Sequence, residues 1–271
     1  MKIKIAGLAF SPRSTGNSEI AVKELVNLIP EPYQPELTFY NMHKHRVLPC
    51  TACYRCLFSD APCHLNDEAE DIIKAIADAD ALVMAVPTYF MGPNGYFKNF
   101  IDRFLLMYRH ADKLTKKPTV LINLYGVPEN GEGYTDLALR ATCYLLNFDV
   151  KAHTDINAAL PGEVVLIDSA RDELKRLAEA LVSDKPAEPA PNSCGICGGE
   201  YFKFMPDGKV SCVICKGAGV VKDGLPVILP PDETFFGSDT ELMKHKKWLM
   251  GMKDKFFADK GRYISVMVKY K

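Results

Sequence analysis

Apolar positions along this chain follow two periods. Lys2 to Leu8 alternates and then turns wholly apolar, while Ala81-Leu82-Val83-Met84-Ala85-Val86 and Thr119 to Leu124 are short continuous apolar runs. Such runs mark strands buried on both faces of a parallel sheet. Leu37 to Tyr40 predicts a short strand and Asp149 to Ile156 a fifth. Between them the spacing becomes helical: Glu19 to Ile29, stopped by Pro30; about Asp67 to Asp78; Gly95 to Arg109; Thr135 to Leu146; and Val164 to Val182. Strands alternating with helices predict an α/β fold built on a doubly wound, five-stranded parallel sheet.

The pattern breaks at Asp184-Lys185-Pro186-Ala187-Glu188-Pro189-Ala190-Pro191, a stiff Pro/Ala linker. Residues 194–217 are too few and too glycine-rich to form a hydrophobic core, so a metal is expected to hold them together. Gly224 to Pro231 reads as an extended connector. Ser238 offers an N-cap with acidic residues after it, for a helix reaching about Phe257 with Leu242, Trp248, Leu249, Met252 and Phe256 on one face. Tyr263 to Val268 reads as a last strand. The expected organisation is a domain over 1–183 with a cysteine-rich loop at 48–66, a linker at 184–193, a small module at 194–217 and an extension with a helix at 218–271. Five strands suit the flavodoxin-like order, whose ligands bind beyond the carboxyl ends of the strands.

Composition narrows the setting. With 271 residues, 48% hydrophobic and 25% charged, the chain is of ordinary globular make-up, and a net charge of -1 gives no reason to expect a nucleic-acid partner. The opening apolar run is too short for a signal peptide, and no segment nears the roughly 18 apolar residues of a spanning helix, so a cytoplasmic protein without a membrane partner is expected. Nine cysteines in a reducing compartment need a reason. Eight form two tetrads, and the ninth, Cys143, lies on an apolar helix face and reads as a buried, inert thiol.

Three stretches at one sheet edge carry candidate chemistry. Ser11-Pro12-Arg13-Ser14-Thr15-Gly16-Asn17-Ser18 joins a buried strand to a helix, where unpaired N–H groups and the helix dipole favour an anion. Ser11, Ser14, Thr15, Asn17 and Ser18 add donors, Arg13 adds charge, and Gly16 lets the backbone come close. No Asp or Glu lies within this loop. Pro87-Thr88-Tyr89-Phe90-Met91-Gly92-Pro93-Asn94-Gly95 could contact a flavin ring, and Asn123 to Tyr134, with Tyr125 and Gly126, supplies another wall. A polar βα turn and a rigid connector are the plainer readings of the first two. Together the three suit a mononucleotide such as FMN.

Cys50-x2-Cys53-x2-Cys56-x6-Cys63 resembles the spacing of a bacterial ferredoxin ligand run and points to a four-iron four-sulfur cluster, with bare redox thiols or zinc as alternatives. Cys194-x2-Cys197 and Cys212-x2-Cys215, separated by 14 residues, form two knuckles of a zinc-ribbon pattern, with strands expected over Tyr201 to Phe204 and Lys209 to Ser211. Rubredoxin-type iron would fit the same four thiolates. His64 reads as a solvated loop histidine and Asp102-Arg103 as surface or interface ion-pair partners. No side chain is assigned as a general acid or base.

With these residues in view, the chain resembles the iron–sulfur flavoprotein family within the NADPH-dependent FMN reductase group. Ser11, Pro12, Arg13, Gly16, Asn17 and Ser18 match its phosphate loop, Cys50, Cys53, Cys56 and Cys63 its cysteine run, and Pro87, Tyr89, Lys98, Asp102 and Arg103 a later pattern. The resemblance covers about residues 1–182; Asn94-Gly95 replaces the commoner Ser-Gly, and the module at 194–217 is an addition. It implies non-covalent FMN near a subunit interface, a four-iron cluster close by, and a homodimer or homotetramer. It also implies a donor such as ferredoxin or NAD(P)H and a small-molecule electron acceptor. The expected function is an oxidoreductase passing electrons between cluster and FMN. The alternatives are a cluster-free NAD(P)H-dependent FMN or quinone reductase, and a zinc-stabilised interaction module on a flavodoxin scaffold.

Overall fold

The structure is a computed structural model that describes residues 1–59, 61–129, 131–234 and 236–270. Asp60 and Asn130, which fall inside the predicted cysteine loop and ring loop, lie outside the described residues.

In chain order the first domain comprises β1 (Lys2–Ala9), α1 (Asn17–Asn27), β2 (Gln34–Asn41), the single turn α2 (Arg55–Phe58), α3 (Ala69–Asp78), β3 (Ala81–Tyr89) and the two-residue β4 (Gly92–Pro93). It continues with α4 (Gly95–Ile101), a 3-10 stretch at Phe104–Arg109, α5 (Ala111–Leu114), β5 (Pro118–Tyr125), α6 (Thr135–Leu145), β6 (Asp149–Asn157), α7 (Glu163–Leu166) and α8 (Asp168–Leu181). The parallel strands run in the order β2-β1-β3-β5-β6, with β4 paired antiparallel to the end of β3. That is the flavodoxin-like order with a switch point at β1/β3.

Side-chain alternation explains the two cores. Ala6 and Leu8 of β1 and Leu82, Met84 and Val86 of β3 join Ile72, Ile76, Phe97 and Leu139 on one face. Ile5, Val83 and Ala85 point the other way, onto Val22, Leu25, Leu174 and Leu177. With helices on both faces, every residue from Ala81 to Val86 is buried, which is why the run carries no polar position.

The second part begins after the linker with β7 (Phe202–Phe204), β8 (Val210–Cys212), β9 (Ala218–Lys222) and β10 (Leu225–Leu229), an antiparallel four-stranded sheet. It packs Ile196, Phe202 and its cysteines on Leu137, Ala141 and Tyr144 of α6. Helices α9 (Asp239–Ala258) and α10 (Lys260–Val268) close the chain.

Several expectations change. The predicted connector at 224–231 is the strand β10, turned back by Asp223 and Gly224 at φ 51° and 79°. The predicted last strand at 263–268 is helix α10, which has no buried residue. Its Tyr-Ile-Ser-Val run has strand propensity, but no sheet edge receives it, and propensity yields to context. The helix expected over 95–109 tightens into the 3-10 stretch, and that over 164–182 breaks at Ile167, which is extended at ψ 113°. The second strand extends back to Gln34, where polar residues on an edge strand gave no apolar signal. Among the described residues no helix is long and apolar enough to cross a membrane.

Candidate functional site

The loops after β1, β3 and β5 leave one edge of the sheet and bind one another. Phe10 N–H donates to Ala85 O (3.0 Å), and the Asn94 amide donates to Phe10 O. Tyr134 N–H donates to Met91 O (2.7 Å), and Thr88 Oγ1 donates to Glu132 O (3.0 Å).

In the 11–18 loop, Ser11 is buried and its Oγ accepts from Arg13 N–H (3.1 Å). A Cβ on Gly16 would fall 2.7 Å from that Oγ, so only glycine lets the loop close this tightly. Helix α1 starts with no side-chain cap, which leaves the N–H groups of Asn17 and Ser18 without a protein acceptor among the described residues. Arg13, Ser14 and Thr15 are exposed, and the hydroxyls of Ser14, Thr15 and Ser18 make no hydrogen bond among the described residues. Asn17 is placed differently from expectation: its side chain donates to Ala158 O and Leu160 O (both 2.9 Å) and accepts from Gly162 N–H (2.8 Å). It holds the loop after β6, so its backbone N–H alone is left for a ligand. The carboxylate just beyond the loop, Glu19, is buried and accepts from Thr15 N–H (3.1 Å), Asn41 (2.9 Å) and Lys23 (2.6 Å). Burial opposes its charge, but those three donors prevail and bring its pKa down to about 2. It braces the loop from the β2 side. Unfilled donors at a helix start and a cradle that a Cβ would fill suit a phosphate.

Pro87–Gly95 divides between exposed and structural residues. Phe90 and Met91 form the tip of the β3–β4 hairpin, both left-handed at φ 50° and 66°, with Phe90 fully exposed. Tyr89 beside them is also exposed. Bulky residues held left-handed store strain of the kind found at functional sites. Gly92 lies under the exposed Tyr134 side chain, whose ring a Cβ there would meet at 2.3 Å. Thr88 and Asn94 are struts instead: Thr88 Oγ1 meets Asn123 (2.7 Å) and Thr135 (2.6 Å), and Asn94 caps α4 by accepting from Phe97 N–H (3.2 Å). Pro87 accepts from Asn94 N–H (3.3 Å), and a Cβ on Gly95 would meet nothing within 4 Å. Tyr125 is half-buried and Gly126 exposed beside Ala159.

Cys50, Cys53, Cys56 and Cys63 all line one small cavity beside α2, with His64 and Arg103. His64 Nδ1 lies 3.6 Å from Cys53 Sγ. The structure overturns the surface reading of Arg103. Its side chain and that of its ion-pair partner Asp67 are each 1% exposed, and its guanidinium donates to Leu48 O (3.0 Å) and to Cys63 Sγ (3.1 Å). Arg109 and Glu70 brace the same loop, Glu70 accepting from Cys63 N–H (3.1 Å). Asp102 does pair at the surface, with Lys98.

The second tetrad has another geometry. All four Sγ atoms of Cys194, Cys197, Cys212 and Cys215 lie within 4.8 Å of one another, with 3.6 Å between Cys194 and Cys215 and 3.5 Å between Cys197 and Cys212. Tetrahedral Zn–S bonds of about 2.3 Å space thiolates in that range. Among the described residues no other three or four ligating groups come so close. Among the described residues the first tetrad forms no such close group.

Comparison with known proteins decides the family. The model of the NADPH-dependent FMN reductase family matches residues 3–154. An iron–sulfur flavoprotein of Archaeoglobus fulgidus is 30% identical over 202 residues, 69% of this chain and 84% of that protein. The chain belongs to the NADPH-dependent FMN reductase family, in its iron–sulfur flavoprotein branch. An iron–sulfur flavoprotein of Methanocaldococcus jannaschii is 31% identical over 37% of this chain and 51% of its own length. That of Methanosarcina thermophila is 26% identical over 49% and 69%. A solved flavone reductase shares the fold over 99% of this chain and 96% of its own, with a TM-score of 0.72 at 17% identity. As a member of the FMN reductase family, the chain is a flavin-dependent oxidoreductase.

The sequence reading missed Glu19, Asn123, Thr135 and Arg103 as supports of the site. Asn123 leaves a trace, as the polar residue between Ile122 and Leu124 of β5, and Arg103 stands in the family pattern.

Proposed function

We propose that this FMN reductase family member is an iron–sulfur flavoprotein that takes electrons from ferredoxin or a similar donor and delivers them to a small acceptor. In this reading residues 11–18 hold the FMN phosphate and Tyr89, Phe90, Met91 and Tyr125 flank the ring. Cys50, Cys53, Cys56 and Cys63 hold a four-iron cluster, and the second tetrad holds zinc. Bound FMN supplies both one- and two-electron chemistry. The residues around it bind the phosphate, fix the ring loops and shield the site.

One observation carries the reading: α4 ties the ring loop to the cysteine loop. At its start Asn94 is anchored to Phe10 and caps the helix; just past its end Arg103 donates to Cys63 Sγ. Seven helical residues span about 10 Å. Asn99, on the same helix, donates to Val47 O just before the cysteine loop (2.5 Å). A rigid strut of that length supports two redox groups held at a fixed, short separation.

The test is anaerobic reduction of the bound flavin by a reduced ferredoxin and, separately, by NADPH. Ferredoxin is expected to reduce the wild-type flavin, and Cys56→Ser to slow that reaction at least about tenfold while FMN stays bound. Equal rates in both proteins, with NADPH the effective reductant, would favour a cluster-free NAD(P)H-dependent reductase.

A further inference from the structure

Among the described residues one side-chain hydrogen bond links the four-cysteine module to the ring loops. Tyr201 Oη donates to Gly133 O at 3.0 Å. The Tyr201 backbone is tied to the second knuckle, its carbonyl accepting from Val213 N–H (3.0 Å), next to Cys212. Gly133 is left-handed at φ +61°, and a Cβ there would come 2.0 Å from Met91 O. Its neighbours continue the link: Tyr134 N–H donates to Met91 O, and Glu132 O accepts from Thr88 Oγ1 and Asn123 Nδ2 (3.1 Å). Residues 132–134 therefore join the strained Phe90-Met91 turn to the end of β5, and Tyr201 holds them from the module side. The module is seated for this by Ile196 and Phe202 on Leu137, Ala141 and Tyr144 of α6.

We propose that the four-cysteine module is a metal-dependent clamp on the flavin ring loops, and that Tyr201 is the positioning residue through which it acts. The inference rests on the assignment of FMN to these loops. The two knuckles have too small a core to stay folded without a bound ion. With the ion in place, Tyr201 is held toward Gly133 and the 132–134 segment is fixed before FMN arrives, which spares the ordering cost of binding. Without the ion, Tyr201 loses its seat and the Phe90-Met91 turn loses one of its supports.

The experiment uses the full chain, freed of flavin and titrated with FMN, with metal content measured on each sample. Visible circular dichroism of the bound flavin is recorded at saturating FMN. Tyr201→Phe keeps the ring packing and removes one neutral hydrogen bond. It should retain the module's metal, weaken FMN binding roughly 2- to 10-fold, and alter the flavin dichroism. Cys197→Ser/Cys212→Ser should lose the metal and weaken FMN at least as much. Phe204→Ala, an exposed change on the same sheet, should match wild type. Tyr201→Phe that keeps metal and shows wild-type affinity and dichroism would overturn the clamp, whether or not the cysteine variant folds. Wild-type protein that binds no FMN would overturn the flavin assignment itself, which separates the two failures.

Discussion

Arg103 shows how one residue can serve fold and site together. Burial opposes the charge on Asp67, but Arg103 and the N–H groups of Leu48 and Ala69 hold its pKa below the usual carboxylate range. A buried pair adds little net stability, yet breaking one strands a charge. Arg103→Leu should therefore cost about 3–5 kcal/mol in urea unfolding, with part recovered by adding Asp67→Asn. A loss near zero would show that the pair is not buried as described. The same guanidinium faces Cys63 Sγ, so Arg103→Lys should lower the potential of a cluster bound there, read by redox titration. His153 is the second telling residue. Burial, reinforced by Arg140, lowers its pKa from 6.5 to about 4, and Arg140 donates to its Nδ1, which requires the neutral ring. Between those values the unfolded chain binds a proton that the folded chain refuses. Stability should be full above pH 6.5 and fall as pH drops toward 4. Thermal unfolding at pH 7 and 5 should show this drop, and His153→Gln should flatten it; an unchanged slope in the variant would count against the assignment.

At the scale of elements, the β3–β4 hairpin trades stability for position. Its Phe90 and Met91 occupy left-handed positions that suit Asn-Gly, at about 1–2 kcal/mol per residue. Replacing Phe90-Met91 by Asn-Gly should raise the melting temperature and weaken FMN binding together; a rise with unchanged binding would remove these side chains from the ring site. Helix α9 lies over the cysteine loop, with Lys253 Nζ 4.7 Å above the Phe58 ring and Trp248, Met252 and Phe256 facing Tyr54 and Phe58 across a cavity. Ser238 caps it, Oγ accepting from Glu241 N–H (3.2 Å). Ser238→Ala should cost about 1 kcal/mol, seen as faster amide exchange in α9 with the main sheet unaffected. The central strands and the Ser238 cap were legible because apolar runs and capping residues are local signals. The supports were not: Arg103 reads as a surface or interface ion-pair partner until the fold brings Asp67 and Cys63 to it, and the Asn17 side chain reads as a ligand donor until Ala158 and Leu160 take its amide. One miss was avoidable, since Asp223-Gly224 between Val220-Val221 and Val227-Ile228 is a local hairpin signal. The opposite error befell 263–268, where strand propensity had no neighbouring edge to satisfy it.

At the scale of the whole molecule, one sheet edge gathers the loops after β1, β3 and β5 beside the cysteine loop that follows β2. Helix α4 joins the β3–β4 loop to the cysteine loop, α9 covers the latter, and Tyr201 of the four-cysteine module donates to Gly133 O beside the former. A separate apolar cavity of about 370 Å³, lined by Phe104, Tyr108, Leu145 and Leu242 among others, shares no residue with these loops. The account depends on the two tetrads being different in kind, one open and polynuclear, the other closed around a single ion. Analysis of anaerobically purified full-length protein for iron, acid-labile sulfide, zinc and FMN tests this most directly. The expected result is about four irons and four sulfides per chain, lost in Cys56→Ser, together with one FMN and one zinc that the variant keeps. A yellow protein with FMN and zinc but no iron or sulfide, prepared without air, would contradict it.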